Sequence, residues 1–314
     1  MERHATNQIL MIKPVGFAFN AETAKNNYYQ QQPHTNDEDL IQRTALSEFN
    51  QFVETLRANG ISVTVFEDTI SPATPDSIFP NNWVSFHENG HTIIYPMFAE
   101  NRRQEKRPEI ISQLVAENNF LVTKTTDLSY FEEQNQFLEG TGSLILDRPN
   151  KVLYAAISDR MHPTPLKKFC DEMGYEAVIF RALQSVGGLR LPIYHTNVMM
   201  CLGKTFAVIC LDSIDDETER KTVINSLSRH KKELVTITEN QVSQFAGNML
   251  EITNEENERI LVMSTSAFKS LTNNQMQKLE KHCRIVHSDI STIEKLGGGS
   301  ARCMMAEIFL PHHS

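Results

Sequence analysis

The sequence has no apolar run near the roughly 18 residues that span a bilayer, so a membrane protein is not expected. It has no basic excess. Lys and Arg number 30 against 39 Asp and Glu, a formal charge of −9. Non-specific nucleic-acid binding needs a dense basic face, so that class is set aside. There is no Cys-x-x-Cys pair, which removes zinc ribbons and thioredoxin-type motifs. The five cysteines, at 170, 201, 210, 283 and 303, are widely spaced and odd in number. Free thiols in a reducing cytoplasm are the natural reading. A secretory leader is not expected either: the short run Ile9–Ile12 meets Lys13-Pro14 at once. No Pro/Gly/Ser linker or low-complexity stretch divides the chain. What remains is an ordinary globular composition, 314 residues with 40% hydrophobic and 22% charged. That length buries one large core or two medium ones.

A weak repeat organises the chain. Asn82-Trp-Val-Ser-Phe-His, Gly142-Ser-Leu-Ile-Leu, Asn197-Val-Met-Met-Cys and Asn248-Met-Leu-Glu-Ile each lead through a polar turn into a second apolar segment. Arg302-Cys-Met-Met-Ala-Glu-Ile closes the series. Each of the first four reads as a strand, a turn and a second strand. The starts lie about 60, 55, 51 and 54 residues apart. Helices fill the gaps. Asp37–Asn59 carries apolar residues at helical spacing, with Asn36 as start cap and Gly60 as stop. Thr164–Met173, Asp215–Arg229 and Leu271–His282 follow the same pattern. Strands are expected after them at Ile61–Phe66, Glu176–Phe180, Leu234–Ile237 and Arg284–His287. The expected fold is α/β, one domain over residues 1–314, with about five ββαβ repeats. The first repeat is split between the two chain ends.

Pseudo-symmetry brings equivalent strand starts together near a central axis. The polar residues there are Asn81 and Asn82, Glu139 to Ser143, His195 to Asn197, Gly247 and Asn248, and Gly299 to Cys303. This set holds a thiol, an imidazole and a carboxylate, the parts of a nucleophile, a base and an orienting group. Each has a plain structural reading too: Cys303 as a buried apolar thiol, His195 as a strand-edge histidine, Glu139 as a turn residue. The glycine run 297–299 before Cys303 allows backbone to approach a ligand closely. No Lys-Ser/Thr follows either glycine-rich stretch, so a phosphate loop is not indicated, and no His/Glu spacing suggests a metal. Cys201 and Cys210 lie in apolar strands and Cys170 and Cys283 late in helices, as structural thiols.

Four motifs in order carry a family resemblance. They are Phe79-Pro-Asn-Asn-Trp, Leu138-Glu-Gly-Thr-Gly, His195-Thr-Asn-Val and Gly298-Gly-Ser-Ala-Arg-Cys. Over nearly its whole length the chain resembles the guanidino-group-modifying enzymes, the amidinotransferase or pentein superfamily. That group includes arginine deiminases, dimethylarginine dimethylaminohydrolases and glycine amidinotransferases. The nearest likeness is to its bacterial citrulline-utilisation hydrolase branch.

The resemblance implies a five-bladed α/β propeller. It makes Cys303 the nucleophile on a trigonal guanidino or ureido carbon. His195 is then the proton donor to the leaving amine and the activator of water. Glu139 holds the substrate N–H groups and orients His195. Phe79, Asn81, Asn82 and Asn197 fall in the substrate motifs. Ser158-Asp-Arg160 resembles the segment whose arginine grips the substrate α-carboxylate, a task suited to a planar fork. The loop 101–107, with Arg103, resembles a second arginine-bearing loop. Both are solvated turns on the plain reading. No metal or organic cofactor is implied. The expected partner is a small amino-acid substrate, with a homo-oligomer as a further option.

One departure bears on substrate. Deiminases end the first motif in an acid that pairs with the guanidinium, whereas this chain has Asn82. An amide leaves a buried cation unpaired. It does match a neutral ureido group, which offers both C=O and NH2. Citrulline, giving ornithine, ammonia and carbon dioxide, is therefore expected ahead of arginine or methylarginine. Amidino transfer and a non-catalytic binding module are the remaining alternatives. A papain-type protease is not, because its cysteine precedes its histidine.

Overall fold

The computed structural model describes residues 2–33 and 37–313. Five three-stranded mixed sheets follow one another along the chain. The second is built from Val84–Phe86, His91–Ile94 and Lys124–Asp127, and the third from Ile145–Asp147, Val152–Ala156 and Glu176–Phe180. The fourth uses Met200–Leu202, Phe206–Ile209 and Glu233–Thr236, and the fifth Leu250–Thr253, Arg259–Ser264 and Arg284–Ser288. In each, the first two strands pair antiparallel and the third joins the second in parallel. The parallel step needs a crossover, which a helix supplies. The middle strands are buried throughout, as in Phe206–Ile209 and Val152–Ala156. That is why they read as unbroken apolar runs rather than alternating ones.

The remaining sheet joins the two ends of the chain. Gln8–Lys13 pairs in parallel with Ser62–Glu67 and antiparallel with Ala306–Glu307. The sheets are not independent units: Tyr154, Val208 and Leu261, from three successive middle strands, share one buried cluster.

The elements differ from expectation mainly at their ends. The first long helix is Glu38–Ala58, capped by Asp37, whose side chain accepts from the Leu40 amide. The expected cap, Asn36, lies outside the described residues. The helix expected from Asp215 starts at Glu217, because the Asp216 side chain caps it. The helix expected over Leu271–His282 is Asn273–Glu280, behind a Thr272 capping box, and a separate helix, Thr265–Ser270, precedes it. A hairpin of Leu183–Val186 and Leu189–Pro192, turning at Gly187-Gly188, was not anticipated.

A larger departure concerns the repeat starts, which are not strands. Pro80–Asn82, Gly140–Ser143 and Thr196–Met199 are single helical turns, and residues 301–304 are turns as well. A strand would send successive side chains to opposite faces. A helical turn spreads them around its axis instead, about 100–120° apart, and it is at these turns that the chemical groups meet.

Candidate active site

Cys303 follows a turn closed by its own amide on the Ser300 carbonyl at 2.9 Å, and it is 2% exposed. The glycines before it were expected to let backbone approach a ligand; what approaches them in the structure is the chain's own Phe79 ring. A Cβ on Gly297 or Gly299 would lie 2.8 or 2.9 Å from the Phe79 ring. Glycine there lets that ring pack beside the sulfur-bearing turn.

His195 stands at the head of the turn Thr196–Met199. Its Nε2 lies 2.7 Å from Glu139 Oε2, with both residues buried. Burial pushes the His195 imidazole down to about 4, against the hydrogen bond and charge of Glu139, which act to raise it. Burial alone would raise Glu139. Arg160, the His195 hydrogen bond and Arg102 together outweigh that and hold the carboxyl well below its usual range. The pair is therefore a neutral imidazole beside a carboxylate. Nε2–H donates to Glu139, which leaves Nδ1 as the basic nitrogen. Among the described residues Nδ1 has no hydrogen-bond partner. Gly142 packs against this ring: a Cβ there would sit 2.7 Å from His195 Nδ1 and 2.6 Å from Asn82 Nδ2.

The other Glu139 oxygen, Oε1, accepts the Phe98 amide at 2.9 Å. Around Oε2 stand Arg160 Nη1 at 3.5 Å and Arg102 Nη1 at 3.8 Å. Arg102 is fully engaged. Its Nε and Nη2 donate to the two oxygens of Glu105 at 2.8 and 2.9 Å, and its Nη1 donates to Asn82 Oδ1 at 2.8 Å. The Asn82 amide is thereby fixed, with Nδ2 donating to Asn81 Oδ1 at 3.0 Å. Asn81 in turn donates to Thr141 Oγ1 at 3.2 Å.

Asp76, Asn82, Arg102, Arg160, His195 and Cys303 are among the residues lining one small cavity of about 10 Å³. Phe79 lines it too. A single water needs about that much room. Over it lies the segment around residues 20–27. Asn20 and Thr23 donate to Asp76 Oδ2 at 2.8 and 3.0 Å, while Arg160 donates to Asn26 Oδ1 at 2.6 Å and to the Thr23 carbonyl at 3.0 Å. Burial pushes Asp76 up, with Arg102 and the Asn20 and Thr23 bonds acting the other way. Its Oδ1 has no hydrogen-bond partner among the described residues. A separate cavity of about 610 Å³ opens at the hairpin-turn ends of the sheets, and none of the residues marked from the sequence lines it.

Three sequence candidates stand elsewhere than expected. Arg103 is outside the cavity lining: it donates to the carbonyls of Met97 and Phe98 and lies over the Phe137 ring. Its neighbour Arg102 is the arginine of that loop that enters. A charged run gives no sign of which member turns inward, so sequence alone did not separate them. Ser158 does not line the cavity either. Its hydroxyl donates to the Tyr194 carbonyl and accepts the Arg160 amide, which fixes the Arg160 loop. Asn197 lies against the sulfur, with Nδ2 at 3.4 Å from Cys303 Sγ. Among the residues missed were Glu105, hidden in the same charged run, and Tyr194, whose hydroxyl donates to the Gly298 carbonyl at 2.5 Å. Burial raises the thiols of Cys170 to about 11 and of Cys201 and Cys283 to about 12. Among the described residues, no group of three or more His, Cys, Asp or Glu is arranged to hold a metal ion.

A family model described as N,N dimethylarginine dimethylhydrolase, eukaryotic, matches residues 13–310. The chain belongs to this family. By its description that family is one of hydrolases, and its superfamily is the pentein, or amidinotransferase, group. Solved structures share the fold. ArgZ, an arginine dihydrolase of the ornithine–ammonia cycle in cyanobacteria, superposes with a TM-score of 0.74 at 17% identity. The match covers 98% of this chain but 41% of ArgZ, so the family fold here corresponds to about two fifths of that protein. The N-terminal domain of ArgZ, in an asparagine-to-serine variant covalently bound to a reaction intermediate, gives 0.70 at 18% identity, covering 97% and 99% of the two chains. A cysteine-to-serine variant of the dimethylarginine enzyme of Pseudomonas aeruginosa, complexed with citrulline, gives 0.65 at 16%, covering 98% and 100%. No curated protein matches this sequence closely enough to serve as a relative.

Proposed function

We propose that the chain is one catalytic domain, its five sheets the blades of a propeller, that hydrolyses the terminal C–N bond of a ureido amino acid. Citrulline is the substrate we put first, with ornithine, ammonia and carbon dioxide as products. One observation carries this choice. The amide of Asn82 stands where a deiminase has an acid, and the Arg102 guanidinium is already bonded to it at 2.8 Å. A second guanidinium from substrate would meet that cation. A neutral ureido group would not.

In this reading Cys303 attacks the ureido carbon and forms a thio-intermediate. Nδ1 of His195 takes the thiol proton of Cys303 as the sulfur attacks, passes it to the departing amine and then takes one from the attacking water, returning it to the sulfur when the S–C bond breaks. Glu139 fixes the imidazole and stabilises it when protonated. Asn82 faces the ureido end, Asn81 behind it holds its amide in place, and Phe79 forms a wall. Arg160 takes the α-carboxylate. Asp76, through its open oxygen, takes the α-ammonium. Free thiols suit the cytoplasm. No helix among the described residues is long and apolar enough to cross a membrane.

A guanidino substrate, arginine or a methylarginine, is the second reading. It is favoured by the family and by the two buried carboxylates, Asp76 and Glu139. Purified protein given citrulline, arginine, dimethylarginine and carbamoyl amino acids decides between them, with Cys303→Ala as the control. Ornithine and ammonia from citrulline support the first reading. Citrulline released from arginine or a methylarginine replaces it with the second.

A further inference from the structure

Gly247-Asn248 stands among the repeat starts, yet no step in the proposed reaction uses it. We infer that Asn248 is a further catalytic residue: together with Asn197 it holds negative charge on the Cys303 sulfur. The inference rests on the reading of Cys303 as nucleophile.

Asn248 is buried and its Nδ2 lies 3.2 Å from Cys303 Sγ; Asn197, also buried, reaches the same sulfur from another sheet at 3.4 Å. Both are neutral amide donors. Among the described residues, these two donors are the hydrogen-bond partners of that sulfur. Negative charge on that sulfur is met by two N–H groups.

The orientation of the Asn248 amide is fixed by its other bonds. Oδ1 accepts the Arg302 backbone amide at 3.0 Å, so this atom is the oxygen and the one facing sulfur is the nitrogen. The second N–H on Nδ2 goes to the Asn197 carbonyl at 3.0 Å. One side chain therefore clamps the sulfur, the backbone one residue before it and the neighbouring amide. Gly247 makes the clamp possible. A Cβ there would lie 2.2 Å from the Val198 carbonyl oxygen, so no other residue lets the two turns come this close.

When sulfur attacks, its electron pair becomes the S–C bond. When the intermediate is hydrolysed, that bond breaks and the pair returns to sulfur. Charge sits on sulfur as it attacks and again as it departs, and the two amides meet it both times.

The test needs no substrate. Iodoacetamide inactivation of the full chain is followed against pH, with Cys303→Ala as the blank for the other thiols. Asn248→Asp keeps the size and the acceptor for Arg302 N but replaces the donor with an anionic oxygen; Asn248→Ala removes both. Near neutral pH the alanine variant should alkylate about tenfold to a hundredfold more slowly. Its rate should rejoin that of the parent in alkaline solution, and the aspartate variant should be slower still. On a turned-over substrate, kcat should fall with KM little changed. Folded variants with the parent's alkylation profile would overturn the inference. If neither variant folds, the ultraviolet thiolate absorbance of the parent minus Cys303→Ala decides. Its presence near neutral pH supports the inference and its absence overturns it. Normal alkylation chemistry without turnover on the panel would refute the proposed substrate and leave this inference standing.

Discussion

Arg102 Nη1 donates to Asn82 Oδ1 across 2.8 Å, in a space sealed from solvent. This contact commits one cation to the place where a guanidinium substrate would need an anion. Asn82→Asp turns it into an ion pair and adds a negative charge to the cavity. The ratio of kcat/KM for arginine over citrulline should rise by about tenfold or more, since roughly 1.4 kcal/mol of differential binding suffices. An unchanged ratio would remove Asn82 from the specificity argument.

The same arginine is held by Glu105 in a two-pronged ion pair, both members buried. Arg102→Met leaves the Glu105 carboxylate without its partner, at a cost of about 3–5 kcal/mol. Chemical denaturation should report that loss. The double variant Arg102→Met/Glu105→Leu should recover much of the stability and none of the activity, because Asn82 stays unsupported.

Gly142→Ala separates geometry from stability. The added methyl lands 2.6 Å from Asn82 Nδ2 and 2.7 Å from His195 Nδ1, both at the ends of side chains that can yield. Displacing catalytic groups by even a fraction of an ångström is costly, with about 10²-fold for 1 Å. The expected result is a kcat at least tenfold lower with a small change in melting temperature. Equal, large losses in both would mean that the backbone itself had moved.

Acid should destabilise the fold before the ordinary carboxylates titrate. Burial holds His195 and His4 down to about 4, and His87 well below its usual value. The unfolded chain binds those protons near 6.5. Between these values the unfolded state carries more protons, so stability is complete above about 6.5 and is lost as pH falls toward 4. Glu139, also held low, adds to the loss further down. Asp76 and Glu105, which burial pushes up, act the other way, so the histidine contribution is read as the difference in melting temperature between the parent and His195→Gln across that window. His195→Gln should flatten part of the slope.

Much of this was legible from residue patterns. The middle strands declare themselves as short apolar runs, the helices by their spacing, and the split first repeat by the count of starts. Glu139, His195 and Cys303 were readable as one set because equivalent positions in a ring must meet. The turns at the repeat starts were not readable: Asn197-Val-Met-Met-Cys has the composition of a strand, and only the approach of neighbouring sheets curls its first half. The entry of Arg102 rather than Arg103 was hidden for a related reason. It depends on Glu105 and Asn82 waiting on the inside, and that is a tertiary fact.

The cover over the cavity has a last consequence. Asp76 and Arg160 are already occupied, by Asn20, Thr23 and Asn26, in a space with room for about one water. A substrate cannot fill a void that is not there. It must trade places with the chain's own side chains at the same hydrogen-bonding groups. In the proposed reading its affinity is then the difference between two sets of similar bonds, so an amino-acid substrate is selected by exchange, held only where its ammonium and carboxylate replace the bonds they break.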